Sequence, residues 1–161
     1  MNKWLMQLQE LKEKHPKALL YTISTLLPMT IMLVVWFFMG SYPFGNKSLM
    51  AVDFGQQYIS FFGLLKNAVL SGDLSSLTYS FTKSLGGDMI GVLGYYLMSP
   101  FNIFYILIPF KHYGLAVFLT IWLRYGAIGL SFSYFLIKRY KGAESRLWLV
   151  PLFSTAYALS G

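Results

Sequence analysis

From Ala18 to Phe38 the chain is apolar apart from Thr22, Ser24, Thr25 and Thr30, and no other stretch constrains the fold as much. A helix of about 20 such residues crosses a hydrocarbon core about 30 Å thick. A secretory signal has a shorter apolar core, about 7–15 residues, followed by a small-residue cleavage site, so the run reads as a permanent anchor. Pro28 lies inside it and bends it mildly, freeing the carbonyl of Ser24 for a nearby hydroxyl or a neighbouring helix. A second span is expected from Tyr113 to Ile137, closed by Lys138, Arg139 and Lys141.

The chain is 56% hydrophobic and only 12% charged, which leaves too few charges for an ordinary soluble surface and predicts an all-α, polytopic membrane protein. The net charge of +7 could suggest nucleic acid, but the basic residues stand beside apolar runs, where they set orientation in the bilayer. No nucleic-acid partner is expected. The absence of cysteine removes both disulfides and thiolate chemistry.

Lys3, Lys12, Lys14 and Lys17 precede the first span and Lys138, Arg139, Lys141 and Arg146 follow the second, so both ends should face the cytoplasm. An even number of crossings must then separate them. This parity, with Pro100, Asn102, Pro109 and the glycines at 91 and 94, makes Ile90 to Phe110 interfacial or re-entrant rather than a third crossing. The expected division is a cytoplasmic amphipathic segment over 1–17, with Trp4, Leu5, Leu8 and Leu11 on one face, and a transmembrane helix over 18–40. An extracytoplasmic loop over 41–112, a second transmembrane helix over 113–137, a cytoplasmic loop over 138–146 and the start of a third helix over 147–161 follow. That last apolar segment holds about 15 residues where about 20 are needed to span, which suggests the N-terminal piece of a longer polytopic protein.

Within the outer loop the carboxylates are Asp53, Asp73 and Asp88, and acid or base chemistry there must use them. Asp53 precedes Tyr58, Phe61, Phe62, Leu65 and Val69, which recur at helical spacing, and Gln56 lies three residues on. A capping box is one reading, a general base or a ligand to a hard divalent ion the other, and the two are compatible. Asp73, between Gly72 and Leu-Ser-Ser, reads as a turn residue. Asp88 follows Gly86-Gly87 and is either a helix cap or part of a backbone nest for phosphate. Lys83 is either solvated or a point charge for a phosphate. Arg124, inside the second span, costs about 2.5–3.5 kcal/mol near a helix centre, so it should face a polar cavity or snorkel outward. Tyr79, Phe81, Tyr95, Tyr96, Phe101 and Phe104 are expected to form an interfacial belt.

The order Asp53-x-x-x-Gln57-Tyr58, Tyr79-Ser-Phe, Leu85-Gly-Gly, Tyr95-Tyr96-Leu and Ser99-Pro100-Phe-Asn102 resembles the first outer loop of bacterial YfhO-type membrane proteins. The resemblance covers roughly Asp53 to Phe110, and Ala158-Leu-Ser-Gly161 resembles the start of that family's next helix. The family is similar to polytopic glycosyltransferases of the GT-C type. It therefore implies transfer of a sugar from a polyprenyl-phosphate carrier to a cell-envelope acceptor, such as lipoteichoic acid, outside the cytoplasmic membrane of a Gram-positive bacterium. It also implies Asp53 as the acidic residue acting at the acceptor, as base or as ligand to a divalent metal. Gln57, Tyr58, Lys83, Asp88 and Arg124 are the accompanying substrate-binding candidates. A transporter or flippase for lipid-linked sugars, or an assembly subunit, would carry similar polar groups without needing Asp53 chemically.

Overall fold

The computed structural model describes residues 16–50, 54–81, 86–142 and 148–160, and it is helical apart from one short hairpin. Helix α1 is Pro16–Met39, α2 is Ile59–Ser71, α3 is Ile90–Val92, α4 is Ile103–Leu107, α5 is Tyr113–Arg139 and α6 is Leu149–Leu159. Strands β1 (Tyr79–Ser80) and β2 (Gly87–Asp88) pair antiparallel, Tyr79 opposite Asp88 and Ser80 opposite Gly87. Two helices are long and apolar enough to cross a membrane, α1 with 24 residues and the 30-residue stretch Phe110–Arg139 that contains α5. At 1.5 Å per residue the shorter reaches about 36 Å, more than the hydrocarbon core needs. The amphipathic segment expected before the first span lies outside the described residues except for Pro16 and Lys17, which open α1.

The chain divides into two compact units, Met1–Val35 with Trp122–Gly161, and Trp36–Ile121, and the divisions fall inside α1 and α5. In the first unit the helices meet through small residues. A Cβ on Gly129 would fall onto the carbonyl oxygen of Ser24 and lie 3.2 Å from the Pro28 ring, and one on Gly126 would lie 2.5 Å from Met29 Sδ. The carbonyl that Pro28 cannot bond is thus covered by the backbone of α5, a close approach only glycine allows. The nearby hydroxyls are used within α1: Thr22, Thr25 and Thr30 each donate to the carbonyl four residues back, at 2.9, 2.7 and 2.8 Å. Trp122 Nε1 adds a bond to the Met29 carbonyl at 3.2 Å. Ser133, Ser154 and Ala158 are buried as well, and Phe132 stacks on Tyr157 with centroids 4.3 Å apart.

The second unit packs differently. Its core is Phe62, Leu65 and Ala68 of α2 with Leu77, Leu97, Tyr105, Tyr113, Ala116 and Val117. At its centre the rings of Phe62 and Tyr105 stack 3.9 Å apart and 3° from parallel. Val69, counted in the helical stripe from the sequence, is 43% exposed, and the buried face of α2 runs instead through Phe62, Leu65, Lys66 and Ala68. α2 ends at Gly72, whose φ of +75° is the left-handed conformation that closes helices.

The stretch from Ile90 to Leu107 is a bent helix pair, Ile90–Leu97 and Pro100–Leu107, meeting at 89°. Pro100 forces Ser99 into an extended conformation, and the break leaves carbonyls without helical partners. A polar side chain takes one up. Asn102 Nδ2, buried, donates to the Tyr96 carbonyl at the end of the first helix at 2.7 Å, while Thr120 Oγ1 ties the start of the second to α5 by donating to the Phe101 carbonyl at 3.3 Å. Irregular backbone of this kind is tolerated at membrane depth only where protein or a wet cavity covers its polar groups.

Candidate functional site

The second unit carries the loop residues that sequence reasoning singled out and the structure describes. Gln57 and Tyr58 lie in a wide, π-type turn, Phe54–Tyr58, that opens directly into α2. A second such turn, Leu93–Leu97, carries Tyr95 and Tyr96. The two turns face each other through their rings: Tyr58 lies 4.5 Å from Tyr96, which also stacks on Phe61 at 5.8 Å and meets Tyr95 at 4.5 Å. Such π-turns, in which one extra residue locally widens and unwinds the helix, recur at functional sites. Gln57 is exposed at the edge of this aromatic group. Asp53, the catalytic candidate immediately before Phe54, lies outside the described residues, as does Lys83.

Asp88 belongs to the hairpin. Its Oδ1 accepts from the Ile90 backbone N–H at 3.0 Å, a local side-chain turn just before α3, whose N-cap position is Met89. The Met89 N–H is likewise committed, to the Thr78 carbonyl at 2.9 Å. Gly86, at φ +107°, lets the Tyr79 hydroxyl come within 2.6 Å of where a Cβ would stand. Arg124 lies in α5 within the first unit, half-buried and engaged with a neighbour. Asp73 marks a turn: its Oδ1 accepts from the Ser75 hydroxyl at 2.6 Å and the Ser75 N–H at 3.0 Å, and these bonds hold its carboxyl below the usual carboxylate range. Of the expected belt, Tyr79, Phe81 and Tyr95 are exposed while Tyr96, Phe101 and Phe104 are partly buried.

Two further features escaped the sequence reading. Lys66 is buried on the inner face of α2, its Nζ donating to the Ile108 carbonyl at 2.6 Å and lying 5.2 Å from the Phe110 ring and 5.8 Å from the Tyr113 ring. Ile108 caps α4, so the ammonium meets the negative end of that short helix. Its position four residues after Phe62 is the signal that would have placed it inward. The second is a groove of about 710 Å³ along the opposite face of α2, where Ser60, Gly63 and Asn67 look toward Ser76, Ser80 and Phe110. A Cβ on Gly63 would stand 3.2 Å from the Phe110 ring, so glycine there lets the ring lie across the helix. Among the described residues no three His, Asp or Glu side chains gather as a metal site would require.

The family described as bacterial membrane protein YfhO matches residues 24–161, which takes in the larger part of α1, all of α5 and everything between them. The chain belongs to the YfhO family. No curated protein and no solved structure matches it. For a YfhO protein, the membrane location follows from the family and from the two spanning-length apolar helices together. The Gln57–Tyr58, Tyr79-Ser, Tyr95–Tyr96 and Ser99–Asn102 motifs of the family-like loop all fall in the second unit, and the Tyr58–Tyr96 contact joins two of them.

Proposed function

We propose that this YfhO protein acts as a GT-C-like membrane glycosyltransferase, moving a sugar from a polyprenyl-phosphate carrier to a cell-envelope acceptor such as lipoteichoic acid. Family membership over residues 24–161 carries the reading, because the family is similar to polytopic enzymes of that type. The protein sits in the cytoplasmic membrane with its N-terminus inside, and the loop over 41–112 meets the carrier's headgroup at the outer interface. The bent pair from Ile90 to Leu107 enters and leaves on that same side.

Asp53 takes the proton from the acceptor hydroxyl as the hydroxyl attacks the sugar's anomeric carbon, or binds a divalent ion beside the departing phosphate. Gln57 and Tyr58 position substrate, Tyr58 being braced by Tyr96. Lys83 and Arg124 offset the charge of the phosphate, and Asp88 is a further substrate-binding residue.

The test is sugar transfer by the full-length protein from a synthetic polyprenyl-phosphate donor. Asp53→Asn should lower the rate by about 10²–10⁴-fold with membrane expression unchanged. Undiminished transfer by that variant removes Asp53 from the chemistry. Translocation of the donor across vesicles without product would make the protein a flippase, and neither activity would leave an assembly subunit.

A further inference from the structure

We infer that the groove along the outer face of α2 is a binding site for an uncharged glycosyl group, with Ser60, Asn67 and Ser76 as its hydrogen-bonding residues and Phe110 as its apolar wall. The choice of ligand rests on the glycosyl-transfer reading, while the site itself rests on its own geometry. Ser60, Gly63 and Asn67 stand at i, i+3 and i+7, which puts them on one stripe of the helix. Opposite them are Ser76, in the short helical turn Ser75–Leu77, and Ser80 of β1. Among the described residues the side chains of Ser60, Asn67 and Ser76 have no hydrogen-bond partner, although α2 packs firmly on its other side.

The lining decides the ligand class. Its polar groups are hydroxyls and one amide, each able to donate and to accept, and no charged side chain among the described residues contributes to it. A phosphate or carboxylate would find no cation among the described lining residues. Ile59, Phe61, Leu64 and Met89 line the groove beside Phe110, so the ligand needs apolar faces as well, and a lipid tail would make no use of the amide and hydroxyls. A pyranose ring presents hydroxyls around its rim and C–H bonds on its faces, which suits polar side chains on one wall and the Phe110 ring on another. At about 710 Å³ the groove admits one or two sugar units. Gly63 sets that wall: a Cβ there would stand 3.2 Å from the Phe110 ring, so its absence lets the ring lie directly against α2.

The experiment measures binding apart from transfer. Full-length protein in lipid nanodiscs is titrated with methyl β-glucoside, methyl β-galactoside and methyl N-acetyl-β-glucosaminide, with binding followed by saturation-transfer NMR. At least one glycoside should bind in the millimolar range. Ser60→Ala and Asn67→Ala, both at exposed positions, should each weaken that binding by about tenfold, and Val69→Ala on the opposite face of α2 should leave it unchanged. A wild-type protein that transfers sugar yet binds none of the three, as when another part of the protein fills the groove, overturns the inference and spares the enzymatic reading. So does binding indifferent to Ser60→Ala and Asn67→Ala. Asn67-dependent binding in a protein that transfers nothing keeps the groove and sinks the transfer.

Discussion

The two units of this chain solve the membrane-packing problem in different ways. The Met1–Val35 and Trp122–Gly161 unit brings backbones together where Gly129 meets the Ser24 carbonyl, with Gly126 against the Met29 side chain, and close van der Waals contact there does what hydrophobic burial does in water. The Trp36–Ile121 unit packs its helices through rings, Phe62 on Tyr105 and Tyr58 on Tyr96, and covers a loose carbonyl at its bend with the Asn102 side chain. Close-packed helices tolerate no added atom. Helices packed through rings depend more on single hydrogen bonds, and a groove stays open beside α2.

The sharpest break between the two styles is at glycine. Gly129→Leu would drive a side chain into the Ser24 carbonyl, which as backbone cannot swing aside, and should cost about 3 kcal/mol by overpacking, read as loss of thermal stability in detergent. Gly114→Ala, in the other unit with its nearest neighbour 3.9 Å away on the Tyr42 ring, should be neutral or stabilise by up to about 1 kcal/mol. Equal losses from both would erase the contrast.

Polar substitutions should show the reverse sensitivity. Lys66→Met keeps the bulk but leaves the Ile108 carbonyl unpaired, and should destabilise the second unit by about 2 kcal/mol, with faster amide exchange over residues 103–112. Asn102→Ala should cost about 1 kcal/mol by abandoning the Tyr96 carbonyl, with the faster exchange centred on the bend near Pro100.

The smallest effect belongs to Asp73. Because its folded pKa is depressed by the Ser75 bonds, the turn's contribution is present above the ordinary carboxylate value of 3.8 and is lost as pH falls through the lowered one. Ser75→Ala should move the Asp73 titration upward toward 3.8, followed by NMR of the carboxyl carbon.

The spans were legible because about 20 apolar residues in a row have few other fates. The bend was legible too, since Pro100 and Asn102 signal a break locally. The bond that ties the bent pair to α5 was not, because Thr120 lies nineteen residues from Phe101 and only the fold brings them together. The freed Ser24 carbonyl was anticipated, but its cover is the backbone at Gly129, which no local pattern announces. Lys66 was passed over because a lysine beside an apolar stripe usually points to water. On the site, the sequence supplied Gln57, Tyr58 and Asp88 by motif, and the fold added the Tyr58–Tyr96 contact and the groove, both products of tertiary pairing.

The central claim is that the loop between the two long helices works on the outer side of the membrane. The chain has no cysteine, so a single thiol at Ser48 or at Lys141, both exposed, reports its side directly. Ser48→Cys in intact cells should react with a membrane-impermeant maleimide, and Lys141→Cys should react only after permeabilisation. The opposite pattern, with residue 48 protected and residue 141 labelled from outside, would contradict the account.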